Sequence, residues 1–289
     1  MMHKIQAKSL FISAYLTLMA IISGYAVLGL VRGGHGLAWV GVLLASGPML
    51  ARILTMMVLK NTARTSGRFP LINGMGAAGV ALTLISSIAM SGPLFAVVLA
   101  ALSWLGFLAY AYWYSSFGGR SGSPALGIGR KLPAVTFRNL EGAEVSTTDL
   151  IGQTTVFLFY RGNWCPLCMA QIKEIAAQYR QLADMGVRVA LVSPQPATHS
   201  VALARQHDVP FEFLSDPDCQ AARVLGIVHD GGLPAGMQMF GYDSDTVLPT
   251  MLVTNAAGEL VWKDETDNYR VRPEPQTLMD VLRRQQLVA

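Results

Sequence analysis

Two cysteines, Cys165 and Cys168, are the residues of this chain best suited to chemistry, and they stand in the segment WCPLC. Thiolates are the nucleophiles of disulfide exchange, and two thiols separated by two residues can close a reversible disulfide. The third cysteine of the sequence, Cys219, lies well downstream. The spacing of the first two therefore predicts a redox site.

The residues around the pair predict a strand that runs into a helix. Residues 155–160 form an apolar, β-branched and aromatic run of buried-strand length, and residues 161–163 turn the chain. From Cys168 to residue 182, apolar side chains recur at helical spacing, and Pro166 suits a first helical position. The pair is therefore expected in the first turn of a helix, where unpaired N–H groups and the helix dipole favour a thiolate.

A C-x-x-C pair also occurs in zinc sites and in purely structural disulfides. Zinc usually takes four ligands, and the remaining Cys219, His199, His207 and His229 show no ligand spacing, so no metal is predicted. Three cysteines are too few for the disulfide framework of a secreted domain. A structural disulfide remains an alternative, but a pair at a helix start is better suited to reversible exchange.

The two halves of the chain differ sharply in charge. The 289 residues are 52% hydrophobic and 14% charged, and no acidic residue precedes Glu141. Apolar runs at residues 10–31, 37–59, 71–90 and 93–113 are each long enough to cross a bilayer. The first run is not expected to be a signal peptide, because three more follow it. The pattern predicts a membrane-embedded half and argues against nucleic-acid binding.

Basic residues predict the orientation of these runs. Eight of them lie on one side of the predicted bundle, against Arg32 on the other. The eight are Lys4, Lys8, Lys60, Arg64, Arg68, Arg120, Arg130 and Lys131. We therefore expect a multi-pass protein of the bacterial inner (cytoplasmic) membrane with a cytoplasmic redox domain, a periplasmic domain being the alternative. The first half holds no cysteine, which excludes a cysteine relay across the bilayer within this chain.

The chain divides into three predicted parts. Residues 1–118 form the four-helix transmembrane region, and residues 119–131 are a Gly/Ser-rich segment expected to be a flexible linker. Residues 132–289 alternate strand and helix patterns, and then show a hairpin at residues 250–263 and a last helix at residues 276–285. The predicted fold class is therefore a membrane all-α region followed by an α/β domain with a mixed central sheet.

Residues 132–289 resemble the peroxiredoxin-like branch of the AhpC/TSA (redoxin) family, which has a thioredoxin-like fold. Five segments in order carry the resemblance: FYRGNWCPLC (159–168), VSPQ (192–195), FLSDPDCQAARVLGI (213–227), LPTMLVTNAAGEL (248–260) and DNYRVRPEP (267–275). The resemblance implies a thiol-dependent peroxidase that reduces hydroperoxides and forms a disulfide between the paired cysteines. A thioredoxin- or glutathione-type dithiol would reset it, and no metal or flavin cofactor is implied.

The resemblance leaves open which cysteine attacks first. In the thioredoxin pattern Cys165 is the nucleophile and Cys168 is the buried resolving cysteine. In the peroxiredoxin pattern Cys168 takes the peroxidatic position, Cys165 replaces the usual threonine, and Arg161 replaces the usual proline. We therefore assign the two cysteines jointly.

Four further residues receive expected roles from the same resemblance. Pro249 aligns with a cis-proline that faces the pair, with an ordinary trans proline at the start of a strand as the alternative. Trp164 is expected to shield the sulfurs, with a generic packed aromatic side chain as the alternative. Arg161 is expected to hold a thiolate or a peroxide oxygen, with a solvated turn arginine as the alternative. Cys219 is expected to be a passive, partly buried thiol, with a second resolving cysteine as the alternative.

Two rival functions belong to other classes. The first is a protein disulfide reductase that serves a membrane or exported client, which a periplasmic redox domain would favour. The second is a non-enzymatic assembly partner in which the redoxin domain is only a binding surface. Under that hypothesis, replacement of both Cys165 and Cys168 by serine would leave cellular function intact.

Overall fold

Four long helices come first in the chain. The computed structural model describes residues 2–207 and 209–284, with side chains from residue 7 onward. The helices are α1 (Met2–Arg32), α2 (Gly36–Leu59), α3 (Pro70–Ala89) and α4 (Leu94–Leu108), which continues as a π-helix (Ala109–Tyr114). Each is long and apolar enough to cross a membrane, and the four predicted runs are confirmed as helices to within a few residues.

Glycines let α2 and α3 approach closely. A Cβ atom added to Gly41 of α2 would lie 2.7 Å from the carbonyl oxygen of Gly79 in α3, which is too close for any side chain. Small residues at helix contacts are the usual means of packing apolar helices in lipid. The outward faces carry exposed apolar side chains, among them Val58, Leu71 and Ile88.

A seven-stranded mixed sheet forms the second half, in the order β2-β1-β5-β4-β3-β8-β9. Strands β3, β4 and β5 are parallel, whereas β8 and β9 and the β1–β2 pair are antiparallel to their neighbours. The strands are β1 (Thr136–Arg138), β2 (Glu144–Ser146), β3 (Thr155–Phe159), β4 (Arg188–Ser193), β5 (Glu212–Ser215), β8 (Thr250–Thr254) and β9 (Leu260–Asp264). A second, two-stranded sheet joins β6 (Val228–His229) to β7 (Thr246–Val247). The prediction of an α/β domain with a mixed sheet is confirmed.

Helices cover both faces of this sheet. They are α5 (Pro166–Ala177), α6 (Tyr179–Asp184), α7 (Ala197–His207), α8 (Gln220–Val224) and α9 (Pro275–Arg284). The residues of β3 point alternately to the two faces, as in any strand. Val156 and Leu158 join the core beneath α5, α6, α7 and α9, while Phe157 and Phe159 join the core beneath α8. The last residue of the helix predicted at residues 276–285 lies outside the described residues.

The predicted flexible linker is instead packed against the redox domain. Leu126 is buried, and the backbone N–H of Gly129 donates to the Leu260 carbonyl at 2.7 Å. The carboxylate of Asp267 accepts the backbone N–H groups of residues 119 and 120, and that of Glu265 accepts the N–H of residue 123. The prediction of flexibility was wrong because these acidic side chains supply the hydrogen-bond partners that a Gly/Ser-rich segment lacks by itself.

Arg270 holds the redox domain against the helices. Its side chain is fully buried, and the guanidinium lies 4.4 Å from the centre of the Phe69 ring. It donates to the hydroxyl of Ser115 at 2.8 Å and to the carbonyls of Ser66, Gly67 and Ala111 at 2.7, 3.0 and 3.0 Å. The redox domain thus sits at the end of the bundle where α2 joins α3 and where the π-helix ends.

Candidate active site

The cysteine pair lies where β3 turns into α5, as the sequence predicts. Helix α5 begins at Pro166, so Cys165 is the residue directly before it and Cys168 is in its first turn. The turn needs a glycine: Gly162 has a φ of +142°, and a Cβ there would lie 2.7 Å from the indole nitrogen of Trp164. This turn directs both cysteine side chains into one core cluster.

The two sulfur atoms are 2.8 Å apart, and both thiols are free. Cys165 is 2% exposed and Cys168 is fully buried. A disulfide bond is about 2.05 Å long, so closing it needs a sulfur movement of only about 0.8 Å. The pair is placed to share one proton in the reduced state and to form a bond in the oxidised state.

Arg272 is the charged residue that contacts the pair. Its Nη2 lies 3.3 Å from the sulfur of Cys168, its Nη1 donates to the side-chain oxygen of Gln171, and its Nε donates to the Tyr269 carbonyl at 3.1 Å. Arg272 is buried, and these two acceptors fix its orientation. The sequence analysis did not single it out, although it stands in the segment 267–275 that supports the family resemblance.

These contacts distribute the charge unequally between the two thiols. Burial by itself raises the pKa of Cys168, but the hydrogen bond from Cys165, the charge of Arg272 and a backbone hydrogen bond from Arg161 lower it to about 5. Burial raises the pKa of Cys165 well above its usual value, and the adjacent Cys168 raises it further. Because Arg272 contacts the sulfur of Cys168, the pair favours a thiolate on Cys168 over one on Cys165.

Arg161 lies beside the pair, but its head group is held elsewhere. One terminal nitrogen donates to the Gly232 carbonyl, and the guanidinium carbon lies 4.7 Å from the centre of the Trp164 ring and 5.6 Å from that of Tyr269. Its Nε is buried without a hydrogen-bond partner, and so is the indole nitrogen of Trp164. Both predicted support residues thus lie next to Cys165, each with a free N–H donor.

The peptide bond before Pro249 is trans, since no cis peptide bond occurs among the described residues. The prediction of a cis-proline was therefore wrong. The trans form is the intrinsically favoured one, and backbone pairing holds it here: the N–H of Leu248 donates to the Ile227 carbonyl at 2.7 Å. The Pro249 carbonyl accepts Arg120 Nη1 at 3.0 Å, and the strand β8 begins at the next residue.

Cys219 is remote from the pair. It belongs to the core on the opposite face of the sheet, and burial followed by the charge of Asp216 raises its pKa to about 12. Of the three histidines considered above, His199 stacks on Tyr242, and burial lowers the pKa of His229 to about 3. No group of three or more His, Cys, Asp or Glu residues in the described part of the chain could hold a metal ion.

A cavity of about 230 Å³ reaches the Cys165 side of the pair from the ends of α1, α2 and the π-helix. Its redox-domain wall includes Arg161, Trp164, Cys165 and Tyr269. Its helix wall is contributed by Ile12, Ser13, Leu16, Ile53, Met56, Met57, Tyr110 and Tyr114, and a third wall by Pro234, Ala235 and Met237. A small or narrow molecule can therefore reach Cys165, whereas Cys168 does not line the cavity.

Comparison with known proteins shows what the redox domain is similar to. The sequence profile of the AhpC/TSA family matches residues 128–263. An alkyl hydroperoxide reductase C of Bacillus subtilis is 30% identical over 132 residues, with coverage of 43% of this chain and 68% of that protein. A chloroplast peroxiredoxin Q of Gentiana triflora is 28% identical over 115 residues, with coverage of 39% of this chain and 52% of that protein. The crystal structure of Enterococcus faecalis AhpC matches with a TM-score of 0.46 at 19% identity, covering 55% of this chain and 92% of that chain.

The matched residues 128–263 contain β3, the turn and both paired cysteines. The prediction of a thiol-dependent peroxidase or disulfide oxidoreductase is thereby confirmed, and an assembly partner without enzymatic activity is disfavoured. With the Bacillus protein matched over 68% of its own length at 30% identity, this chain belongs to the AhpC/TSA family and has the thioredoxin-like fold that the resemblance implied.

Proposed function

We propose that this protein is a membrane-anchored, thiol-dependent peroxidase that reduces hydroperoxides with Cys165 and Cys168. One observation carries the proposal: a sulfur pair 2.8 Å apart, with the guanidinium of Arg272 3.3 Å from Cys168. A thiolate stabilised in this way is the nucleophile that peroxide reduction needs. The second thiol is close enough to supply a proton first and to close a disulfide afterwards.

The thiolate of Cys168 attacks the terminal oxygen of the hydroperoxide. The O–O bond breaks, Cys168 becomes a sulfenic acid, and the thiol of Cys165 protonates the departing alkoxide to give an alcohol. The resulting Cys165 thiolate attacks the sulfenic sulfur, a disulfide forms, and the released hydroxide takes a proton from solvent as water. The hydroperoxide is reduced by two electrons, and the pair is oxidised by two.

The opposite order, in which Cys165 attacks first, is favoured by one observation. The cavity is lined by Cys165, whereas Cys168 lies behind it and is fully buried. We favour Cys168 because Arg272 contacts its sulfur and lowers its pKa, whereas the pKa of Cys165 is raised. This order requires the Cys165 side chain to turn aside, because Cys165 and not Cys168 lines the cavity.

A dithiol donor of the thioredoxin or glutathione type resets the disulfide by exchange. Because both sulfurs are buried, a small donor enters through the cavity, and a protein donor requires the first turn of α5 to open. The same burial argues against the alternative of a protein disulfide reductase. The client protein that carries the disulfide would be as bulky as a protein donor. The peroxidase names of the Bacillus and Gentiana relatives support a hydroperoxide as substrate.

The four helices α1 to α4 anchor this activity in the bacterial inner membrane. Residues 1–118 form the membrane region, residues 119–131 connect it to the redox domain, and residues 132–289 carry the chemistry. The redox domain touches the α2–α3 loop, where Arg64 pairs with Glu174 and Glu274. That loop belongs to the predicted cytoplasmic side, so the redox domain is cytoplasmic. A reporter fused to the C-terminus tests this: activity only of a periplasmic reporter would reverse the orientation.

The activity itself is tested with the purified full chain in detergent. Hydroperoxide consumption is measured with dithiothreitol or thioredoxin as the reductant. We expect turnover by the unaltered protein and none by the Cys168→Ser variant. If the unaltered protein consumes no hydroperoxide with either reductant, the proposed function is wrong.

A further inference from the structure

We infer that the cavity between the membrane helices and the cysteine pair binds the acyl chain of a lipid hydroperoxide that enters sideways from the bilayer. This inference rests on the proposed peroxidase function and names the substrate class of the same site. It gives α1 and α2 a role in substrate binding beyond anchoring. Its support comes from the depth of the cavity, the chemistry of its walls and the segment at its rim.

The helix wall of the cavity lies inside the candidate membrane spans of α1 and α2. Ile53 is six residues before the end of α2 at Leu59, and Ile12 is five residues into the candidate span that starts at Ala7. At 1.5 Å per residue, these positions are about 7.5–9 Å inside the ends of the two candidate spans. A molecule bound against them therefore has its chain in the hydrocarbon region and its polar end near the redox domain.

The cavity is apolar at one end and supplied with donors at the other. Leu16, Ile53 and Met56 line the helix end. At the redox end, the Nε of Arg161 and the indole nitrogen of Trp164 are buried without hydrogen-bond partners. Buried N–H groups are almost always paired, so these two donors are available to an oxygen atom that enters the cavity. A lipid hydroperoxide matches both ends of the cavity: its hydrocarbon chain suits the apolar helix end, and its hydroperoxide group suits the N–H donors at the redox end.

The cavity also borders the lipid-facing side of the bundle. Met57 lines it and is 50% exposed, and the neighbouring Leu54 and Val58 face outward as exposed apolar residues. Ile12 and Leu16 of α1 are only partly covered. On our inference, the chain therefore enters between α1 and α2 over apolar side chains and does not cross water.

The insert at residues 230–245 forms the rim of this entrance. It is fastened to α1 by three hydrogen bonds, in which Ser9 Oγ and Ser13 Oγ donate to the carbonyls of Leu233 and Ala235 and the N–H of Ala235 donates to the Ser9 carbonyl. Within the same insert, Met239 and Phe240 are 88% and 65% exposed. Exposed apolar side chains beside a membrane helix suit the boundary between head groups and acyl chains.

The test compares two peroxides on the full chain reconstituted in phosphatidylcholine vesicles. Leu16→Trp fills the cavity, and Leu18→Trp is the matched control, since Leu18 lies on the same helix and faces outward. The measured quantity is the ratio of the rate with phosphatidylcholine hydroperoxide to the rate with hydrogen peroxide. We expect Leu16→Trp to lower this ratio at least about tenfold and Leu18→Trp to change it less than about twofold, since a blocked pocket loses several contacts of the chain.

An unchanged ratio in the Leu16→Trp variant, or an equal fall in the control, overturns the inference and leaves the peroxidase function standing. A protein that consumes neither peroxide overturns both the inference and the peroxidase function.

A binding measurement on the unaltered protein gives a test that does not depend on the folding of the variant. A diazirine-bearing fatty alcohol is crosslinked to the unaltered protein in the same vesicles. We expect labelled peptides that contain Ile12 or Ile53, and labelling confined to the outward faces contradicts the site.

Discussion

The Nη2 of Arg272 lies 3.3 Å from the sulfur of Cys168, and its Nη1 is held by Gln171 one turn further along the same helix. Arg272 comes from the segment between β9 and α9, so the end of the redox domain closes over the start of α5. This contact favours the negative charge of the pair on Cys168 and the proton on Cys165. The reactivity of the site therefore depends on a residue more than a hundred positions away in sequence.

Replacing Arg272 tests this dependence. In Arg272→Met the positive charge is lost, and the pKa of Cys168 should rise by about 1–3 units, as is usual when a buried group loses its counter-ion. We expect the rate of oxidation by hydrogen peroxide at pH 6 to fall about tenfold. The rate is measured by stopped flow on the reduced protein.

The control for this variant is Arg283→Met, which removes a half-exposed arginine of α9. Arg272→Lys restores the charge without the two-pronged hydrogen bonding, and its pH profile should lie between those of the unaltered protein and Arg272→Met. A profile in Arg272→Met that coincides with that of the unaltered protein would mean that Arg272 does not set the charge of the pair.

The pH dependence of oxidation follows from the same contact. The pKa of Cys168 is lowered to about 5, so the thiolate is present above pH 5 and is protonated below it. The oxidation rate should rise steeply up to about pH 5 and level off above about pH 6, whereas an ordinary thiol with a pKa of about 8.5 would keep accelerating beyond pH 8. Stopped-flow rates between pH 4 and pH 9 separate the two cases, and a continuous rise would contradict a stabilised thiolate.

Local patterns in the sequence were sufficient to predict the elements that carry the site. The β-branched run before residue 160, the turn at Gly162 and the proline at position 166 act within a few residues of one another, and the structure has β3, the turn and α5 in those places. The four apolar runs were predictable for the same reason, because length and composition determine them.

Long-range contacts could not be predicted in this way. Arg272 meets Cys168 and Arg270 meets Ser115 across more than a hundred residues, and neither arginine differs locally from a surface arginine. The ordered packing of residues 119–131 depends on hydrogen bonds to Glu265 and Asp267, which follow β9. The charge of the site and its attachment to the helices are thus tertiary properties.

Cys219 should take no part in turnover. It lies on the other face of the sheet from the pair, and burial raises its pKa to about 12, so it is neither near nor ionised. We expect Cys219→Ala to retain the peroxidase rate within about twofold, since a remote substitution seldom changes catalysis. A loss of turnover with the Cys165–Cys168 pair intact would make Cys219 a resolving cysteine after all.

Arg270 should determine how firmly the redox domain is held. Arg270→Met leaves the carbonyls of Ser66, Gly67 and Ala111 without their donor, and we expect a loss of about 3 kcal/mol of stability, as unpaired buried groups cost 1–3 kcal/mol each. A lower unfolding midpoint in detergent and faster proteolysis near residues 115–131 would report it. Arg130→Met, at an exposed position, is the matched control, and equal effects of both changes would contradict the anchoring role.

The most direct test of the central claim is to trap the first oxidised product. In Cys165→Ser the resolving thiol is absent, so one equivalent of hydroperoxide should leave a sulfenic acid on Cys168, which dimedone labels and mass spectrometry locates. The Cys168→Ser variant should give no such label on Cys165. A label on Cys165 in place of Cys168, or peroxide consumption by Cys168→Ser, would contradict the account.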